Sequence, residues 1–196
     1  MSPRAYHQKV RGESAAETRQ RIVEATYDLH RSRGISATSF RDIAERADVA
    51  IGTVYHHFPE LDDILRACGA HTMRVTMPPG PAIFEGIASP RERLRVLVLE
   101  TFRFYERFPE HDFIRAERTR FPFIDETFRE VEEARRTLIA AAVRPRRLGK
   151  STAAAAFALL EPAVHRAFLA SGLTTEQAAG EVFTLLQSTI FRRTSK

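Results

Sequence analysis

An all-α fold is what this sequence predicts, and three observations carry the prediction. Apolar residues recur every three to four positions along successive segments, and no strand-like alternation or internal repeat stands out. Residues that start helices precede those segments: Ser39 with Asp42 three positions on, Ser89-Pro90 with Glu92, and Thr174-Thr175 with Gln177. Breakers separate them, chiefly Pro78-Pro79-Gly80-Pro81, then Pro109, Pro122, Pro145 and Gly172.

The first 16 residues form a basic arm, in which Arg4, Lys9 and Arg11 meet no acidic residue until Glu13. Such an arm, expected to lack fixed structure when free, can track phosphates or enter a minor groove, or can be an idle tail. The next signal is the stretch from Thr38 to Phe58, which reads as two short helices joined by a turn. Ser39 supplies the N-terminal cap, and Phe40, Ile43, Ala44 and Ala47 share one face, leaving Arg41, Asp42, Glu45 and Arg46 outward. Asp48 stands where the chain must turn, since Asp tolerates the left-handed backbone better than most residues, and Val49 plugs the turn. A second helix over about 52–58 directs Val54 and Phe58 to the core, with Thr53, Tyr55, His56 and His57 available to face outward. Hydrogen-bonding and aromatic groups on such a face suit DNA phosphates and bases; an ordinary helical hairpin with an amphipathic surface is the alternative from spacing alone.

A fourth helix is predicted after Phe58, because Pro-Glu-Leu-Asp-Asp places proline and acidic groups in a first turn, and it ends before the 78–81 breaker cluster. From Ser89 a long helix carries Leu94, Leu97, Val98, Thr101, Phe102 and Tyr105 on one face. The run RPRRLGK at 144–150 reads as the linker into a last helix pair, about 151–170 and 175–192. In that pair Phe157, Leu160, Val164 and Phe168 form one stripe and Val182, Leu185, Leu186 and Ile190 another, with Pro162 predicted to kink the first helix. Two such helices can pair with the same two of a second copy, giving a four-helix interface.

Taken together, Thr18-Arg19-Gln20-Arg21-Ile22-Val23 with 25–34, Ser39 to Ala44, and Val49-Ala50-Ile51-Gly52-Thr53-Val54-Tyr55-His56-His57-Phe58 closely resemble the three DNA-binding helices of the TetR family of transcriptional regulators. The resemblance covers roughly the first third of the chain. It implies a helix-turn-helix DNA-binding domain over 17–66 and a helical ligand-binding and dimerisation domain over 67–196. Carried over by position, it implies that Ser39, Tyr55 and His57 meet phosphates while Arg41, Ile51, Gly52, Thr53 and His56 lie near base edges. Arg41 suits a bidentate contact to guanine, worth about 1–3 kcal/mol of discrimination. The family commonly has lysine where this chain has Leu61, and glycine where it has Asp48. The missing lysine should flatten the salt dependence of DNA binding by about one counterion.

The implied partners are a near-palindromic double-stranded operator, a small apolar or aromatic effector that releases it, and a second copy of the chain. The stripes above nominate Phe157, Leu160, Val164, Phe168, Val182 and Leu186 for the dimer interface. Phe102, Tyr105, Phe113 and Phe128, with the polar groups Glu117, Glu161 and His165, are the candidate ligand contacts, although aromatics at helical spacing equally serve as plain core. Glu161 and His165 stand four apart and would share a helix face, where an exposed ion pair is the other reading.

Composition bounds the remaining possibilities. The net charge of +5 gives little support to a broad DNA-binding surface, because residues 1–66 balance ten Lys/Arg against ten Asp/Glu. No apolar run of membrane-spanning length or signal-peptide core is evident, so a cytoplasmic location without membrane association is expected. The single Cys68 excludes an internal disulfide and reads as a small buried residue. His111, Asp112 and Glu117 lack helical metal-pair spacing, so no metal and no cofactor are expected. An enzyme acting on an aromatic substrate is disfavoured because no catalytic triad order, paired carboxylates or phosphate-binding glycine loop emerges. A ligand-binding or protein-interaction module with a weakened DNA reader is the remaining alternative.

Overall fold

The computed structural model describes residues 3–192, apart from the side chains of 3–13 and 112. Ten α-helices and no strand occur among the described residues: α1 (Pro3–Arg33), α2 (Phe40–Arg46), α3 (Ile51–His57), α4 (Leu61–Thr76), α5 (Pro90–Arg107), α6 (His111–Arg115), α7 (Pro122–Ala142), α8 (Lys150–Leu159), α9 (Pro162–Ala170) and α10 (Thr175–Ile190). The backbone of the arm from Pro3 onward is helical and continuous with α1, where the sequence suggested no fixed structure. The side chains of Arg4, Lys9 and Arg11 lie outside the described residues. No single helix among the described residues is long and apolar enough to cross a membrane.

The chain divides into two compact units. The first runs up to Val75 and also takes in Phe113–Asp125; the second comprises Thr76–Asp112 and the chain from Glu126 onward. This division differs from the 66/67 boundary read from the sequence, for a packing reason: α4 keeps burying apolar side chains into the first unit past Arg66, and a later segment returns to it.

In the first unit, α1 to α4 enclose Ile22, Val23, Ala25, Ile43, Ala44, Ala47, Val54, Phe58 and Ile64. Val54, Phe58 and Ile64 are wholly buried, each worth about 1.5–3 kcal/mol of transfer free energy. The α2 start forms the anticipated capping box, with Ser39 accepting from the Asp42 N–H and the Asp42 carboxylate accepting from the Ser39 backbone N–H. Asp48 takes a left-handed φ of 53°, and Val49 packs against the core. Gly34 closes α1 at φ 91°. A Cβ there would lie 2.8 Å from Phe113 Cζ, so the backbone demands glycine and a larger residue would also have to displace the Phe113 ring.

In the second unit α5 packs most extensively on α10. Leu94, Leu97, Val98 and Phe102 are buried on α5, and Ala178, Ala179, Val182, Leu186 and Ile190 on α10. Ser89 accepts from Glu92 N at the start of α5, and Thr174 with Gln177 forms a capping box at α10. Pro162 breaks the predicted kinked helix into two, α8 and α9, at an angle of 51°. The Val164 N–H turns to the Glu161 carbonyl at 3.0 Å, so the Leu160 carbonyl loses its helical donor.

Candidate functional site

The turn from α2 into α3 presents one outward surface. Val54 and Phe58 hold α3 to the core, and the opposite side carries Ile51, Gly52, Tyr55 and His56 in the open, with Thr53 and His57 half-buried. Tyr55 rests its ring on Phe40 of α2 at 4.9 Å between centroids yet stays 51% exposed, which orients an amphipathic tip toward solvent. Ile51 is likewise open at 44%, a large apolar side chain with no internal use. At Gly52 a Cβ would meet nothing within 4 Å. Glycine inside a helix costs about 0.5–1 kcal/mol relative to alanine, and internal packing does not require it here; it leaves the backbone open to close approach.

Charge around this surface is ordered locally. Asp42 is occupied by Ser39 and by Arg33 at 3.0 Å, and these hydrogen bonds hold its carboxyl down to about 2. Arg46 pairs with Asp28 at 2.7 Å. Arg41 is exposed and, among the described residues, has no carboxylate partner. His57 is held below its usual range by partial burial first, then by repulsion from His56 and Arg19; its ring lies 5.3 Å from that of His56. Leu61 opens α4 at 41% exposure.

After α1, Glu117 accepts from the Ser36 backbone N–H at 3.1 Å and from the Ser36 hydroxyl, and Phe113 covers Gly34. His30 lies beneath, 5% exposed, with its Nδ1 3.6 Å from Cys68 Sγ. Burial pushes the His30 pKa to about 4 against the opposing pull of Glu117, and burial likewise pushes the Cys68 thiol up to about 12, so that thiol is unreactive. Phe113 and Glu117 therefore belong to the first unit, and the other five ligand candidates to the second. Their sequence neighbourhood was aromatic, but the chain returns to α1 there.

The second unit holds a buried aromatic and polar cluster. Phe102, Tyr105, His111, Phe128 and His165 approach one another, with Phe102–His165 and His111–Phe128 centroids both 5.0 Å apart. Tyr105 donates to the orphaned Leu160 carbonyl at 2.8 Å. Arg135 donates to the same carbonyl at 2.8 Å and to the Tyr105 hydroxyl at 2.6 Å, and pairs with Glu161. Glu161 and His165 thus do not act as a pair: Glu161, at the N-cap position of α9, directs its carboxylate to Arg135, while His165 Nε2 lies 3.2 Å from the Thr175 hydroxyl, which donates to Glu106. Burial lowers the His165 pKa, with Glu106 opposing. Arg135 escaped sequence reasoning, although it falls on the apolar stripe of Phe128, Val131, Leu138 and Ile139. A small cavity of about 90 Å³ is lined by Thr101, Phe104, Tyr105, His111, Arg135 and Leu138, among others. Of the ligand candidates only Tyr105 lines it.

The dimer candidates also separate. Leu160, Val182 and Leu186 are buried within their own chain, Leu160 at the break between α8 and α9 and the other two on α10, which packs on α5. Phe157 is half-buried between the Arg135 and Arg136 guanidinium groups, 4.3 and 4.4 Å from its ring. Val164 and Phe168 are half-buried, and Ala163, Ala167, Leu169 and Leu185 are exposed beside them. Among the described residues no cluster of three or more His, Cys, Asp or Glu could hold a metal ion.

Comparison with known proteins places these observations in a family. Residues 22–68 match the model of the bacterial regulatory proteins, tetR family. The HTH-type transcriptional repressor KstR of Mycolicibacterium smegmatis is 36% identical over 98 residues, 50% of this chain and 48% of the repressor. The chain thus spans about half the length of the curated relatives it matches. A TetR-family transcriptional regulator from Rhodococcus sp. shares the fold, with a TM-score of 0.67 at 22% identity over 89% of this chain and 99% of that one. The multidrug binding protein EbrR, solved with imidazole, is 27% identical with a TM-score of 0.58, over 86% of this chain and 93% of that one. With the helix-turn-helix geometry, the family-model match over that geometry and these relatives all in agreement, residues 22–68 form a DNA-binding domain of the tetR family of bacterial regulatory proteins.

Proposed function

We propose that this protein is a ligand-responsive, DNA-binding transcriptional regulator, acting as a homodimeric repressor on a near-palindromic operator. The observation that carries this reading is the outward side of α3, where Ile51, Gly52, Tyr55 and His56 are exposed around a backbone that nothing covers. Arg41, Thr53 and His56 would read base edges; Ser39, Tyr55 and His57 would hold phosphates. The pairing of two copies would use the exposed sides of α9 and α10, with Val164, Phe168, Ala163, Ala167 and Leu185. An apolar or aromatic effector would enter the cluster around Phe102, Tyr105, Phe128 and His165. The adjoining cavity, which of these four only Tyr105 lines, holds about 90 Å³, far below the roughly 300–1,000 Å³ of ordinary ligand pockets, so entry would require the aromatic rings to part. Release of DNA then follows from a difference in effector affinity between the DNA-bound and free states.

Selection from a random DNA library, followed by gel shift on the selected sequence, tests this. Dimer-sized complexes that Arg41→Ala and Tyr55→Ala weaken at least tenfold are expected. Equal binding by both variants would refute the α3 assignment, and failure to select any sequence would favour an interaction module with a degenerate reader.

A further inference from the structure

We propose that the groove between the end of α7 and the start of α8 is a second binding site, for an organic phosphate carrying an apolar tail. The groove has a volume of about 890 Å³, within the roughly 300–1,000 Å³ of small-molecule pockets and about ten times the interior cavity. Its rim is basic and its floor apolar: Arg136, Arg144, Arg146 and Arg147 surround Val143 and Phe157. No acidic residue occurs between Glu133 and Glu161, and Lys150 adds a further positive charge nearby. Among the described residues Arg144, Arg146 and Arg147 have no carboxylate partner, and Arg136 has only an exposed Glu133 at 3.4 Å. Exposed pairs of this kind neutralise little.

Two features make this a built arrangement. Arg93 grips the backbone below the basic run, donating from Nε to the Ala142 carbonyl at 3.1 Å, from Nη1 to Ile87 and Ala88 carbonyls at 3.2 Å, and from Nη2 to the Arg144 carbonyl. Aromatic rings orient two of the guanidinium groups: Arg136 stacks on Phe157 at 4.4 Å, and Arg146 lies 5.5 Å from the Phe191 ring. Stacking fixes a guanidinium without cancelling its charge, leaving its N–H fork free for a bidentate phosphate. Nucleic acid would have no use for the apolar floor, and a neutral hydrophobe no use for the rim. An amphipathic phosphate uses both. The residues lining the groove are other than those proposed for DNA contact and for the interior effector site.

Calorimetric titration of the full chain with decyl phosphate, below its micelle concentration, tests the proposal. Saturable one-site binding is expected, with Arg146→Ser/Arg147→Ser weakening it at least tenfold. Inorganic phosphate alone should bind at least tenfold more weakly, and decyltrimethylammonium should not compete. Ala153→Phe fills the groove floor while keeping every charge, and should lower decyl phosphate affinity without altering that of inorganic phosphate. Circular dichroism melts verify that both variants fold. No binding by wild type, equal binding by either folded variant, or equal binding of inorganic phosphate overturns the site. So does a change of oligomeric state in the double variant without loss of a ligand, which would make the groove an interface between copies.

Discussion

His30 should make the stability of this protein fall as pH drops through the mildly acidic range. Its imidazole is 5% exposed, against Cys68 and beneath Glu117, and burial holds its pKa at about 4 compared with 6.5 in the unfolded chain. The folded pKa is depressed, so between these values the unfolded chain binds the proton and the folded chain does not. Stability from the neutral ring is therefore complete above pH ~6.5 and lost progressively as pH falls toward ~4. Each pKa unit corresponds to about 1.4 kcal/mol, so the full effect is about 3 kcal/mol, of which about 2 is lost between pH 7.5 and 5. Against a domain stability of about 5–15 kcal/mol this is a large share. Urea denaturation at pH 7.5, 6 and 5, for wild type and His30→Leu, measures it. The variant offsets the contribution of all other groups, including Asp42, whose carboxyl stays ionised throughout this window. Wild type should lose about 2 kcal/mol more than His30→Leu over the window. Parallel pH profiles would refute the argument that a buried neutral imidazole underlies the α1 end.

Gly34→Ala should destabilise the protein by about 1–3 kcal/mol, since a side chain at φ 91° is strained and its Cβ would meet Phe113 at 2.8 Å; Phe113→Ala should recover only the steric part, read by urea midpoints. Removing the α2 cap with Ser39→Ala should cost about 1 kcal/mol in the same assay, and Ser39→Asp should keep most of it. Restoring a cation at the start of α4 with Leu61→Lys should strengthen operator binding and steepen its salt dependence by about one counterion, checked by gel shift across salt concentrations.

Local structure, including the α2–α3 surface, is legible in the order of the amino acids. Capping at Ser39, Ser89 and Thr174, the left-handed turn at Asp48 and the inward faces of α2 and α3 all lie within reach of neighbours three or four positions away, so periodicity and cap chemistry suffice to read them. Tertiary structure decided which of several available apolar faces meet. Val182 and Leu186 satisfy the same spacing rule for a core as for an interface, and only the packing of α5 on α10 assigns them to the core. Pro162 could have kinked or broken its helix; the break is stabilised by Tyr105 and Arg135 donors taking the Leu160 carbonyl, 55 and 25 residues away in sequence. Glu117 looked like a ligand contact among aromatics, yet it is claimed by Ser36, 81 residues earlier. Long-range pairings of this kind leave no periodic trace, because a polar group is placed by its partner and not by its neighbours along the chain.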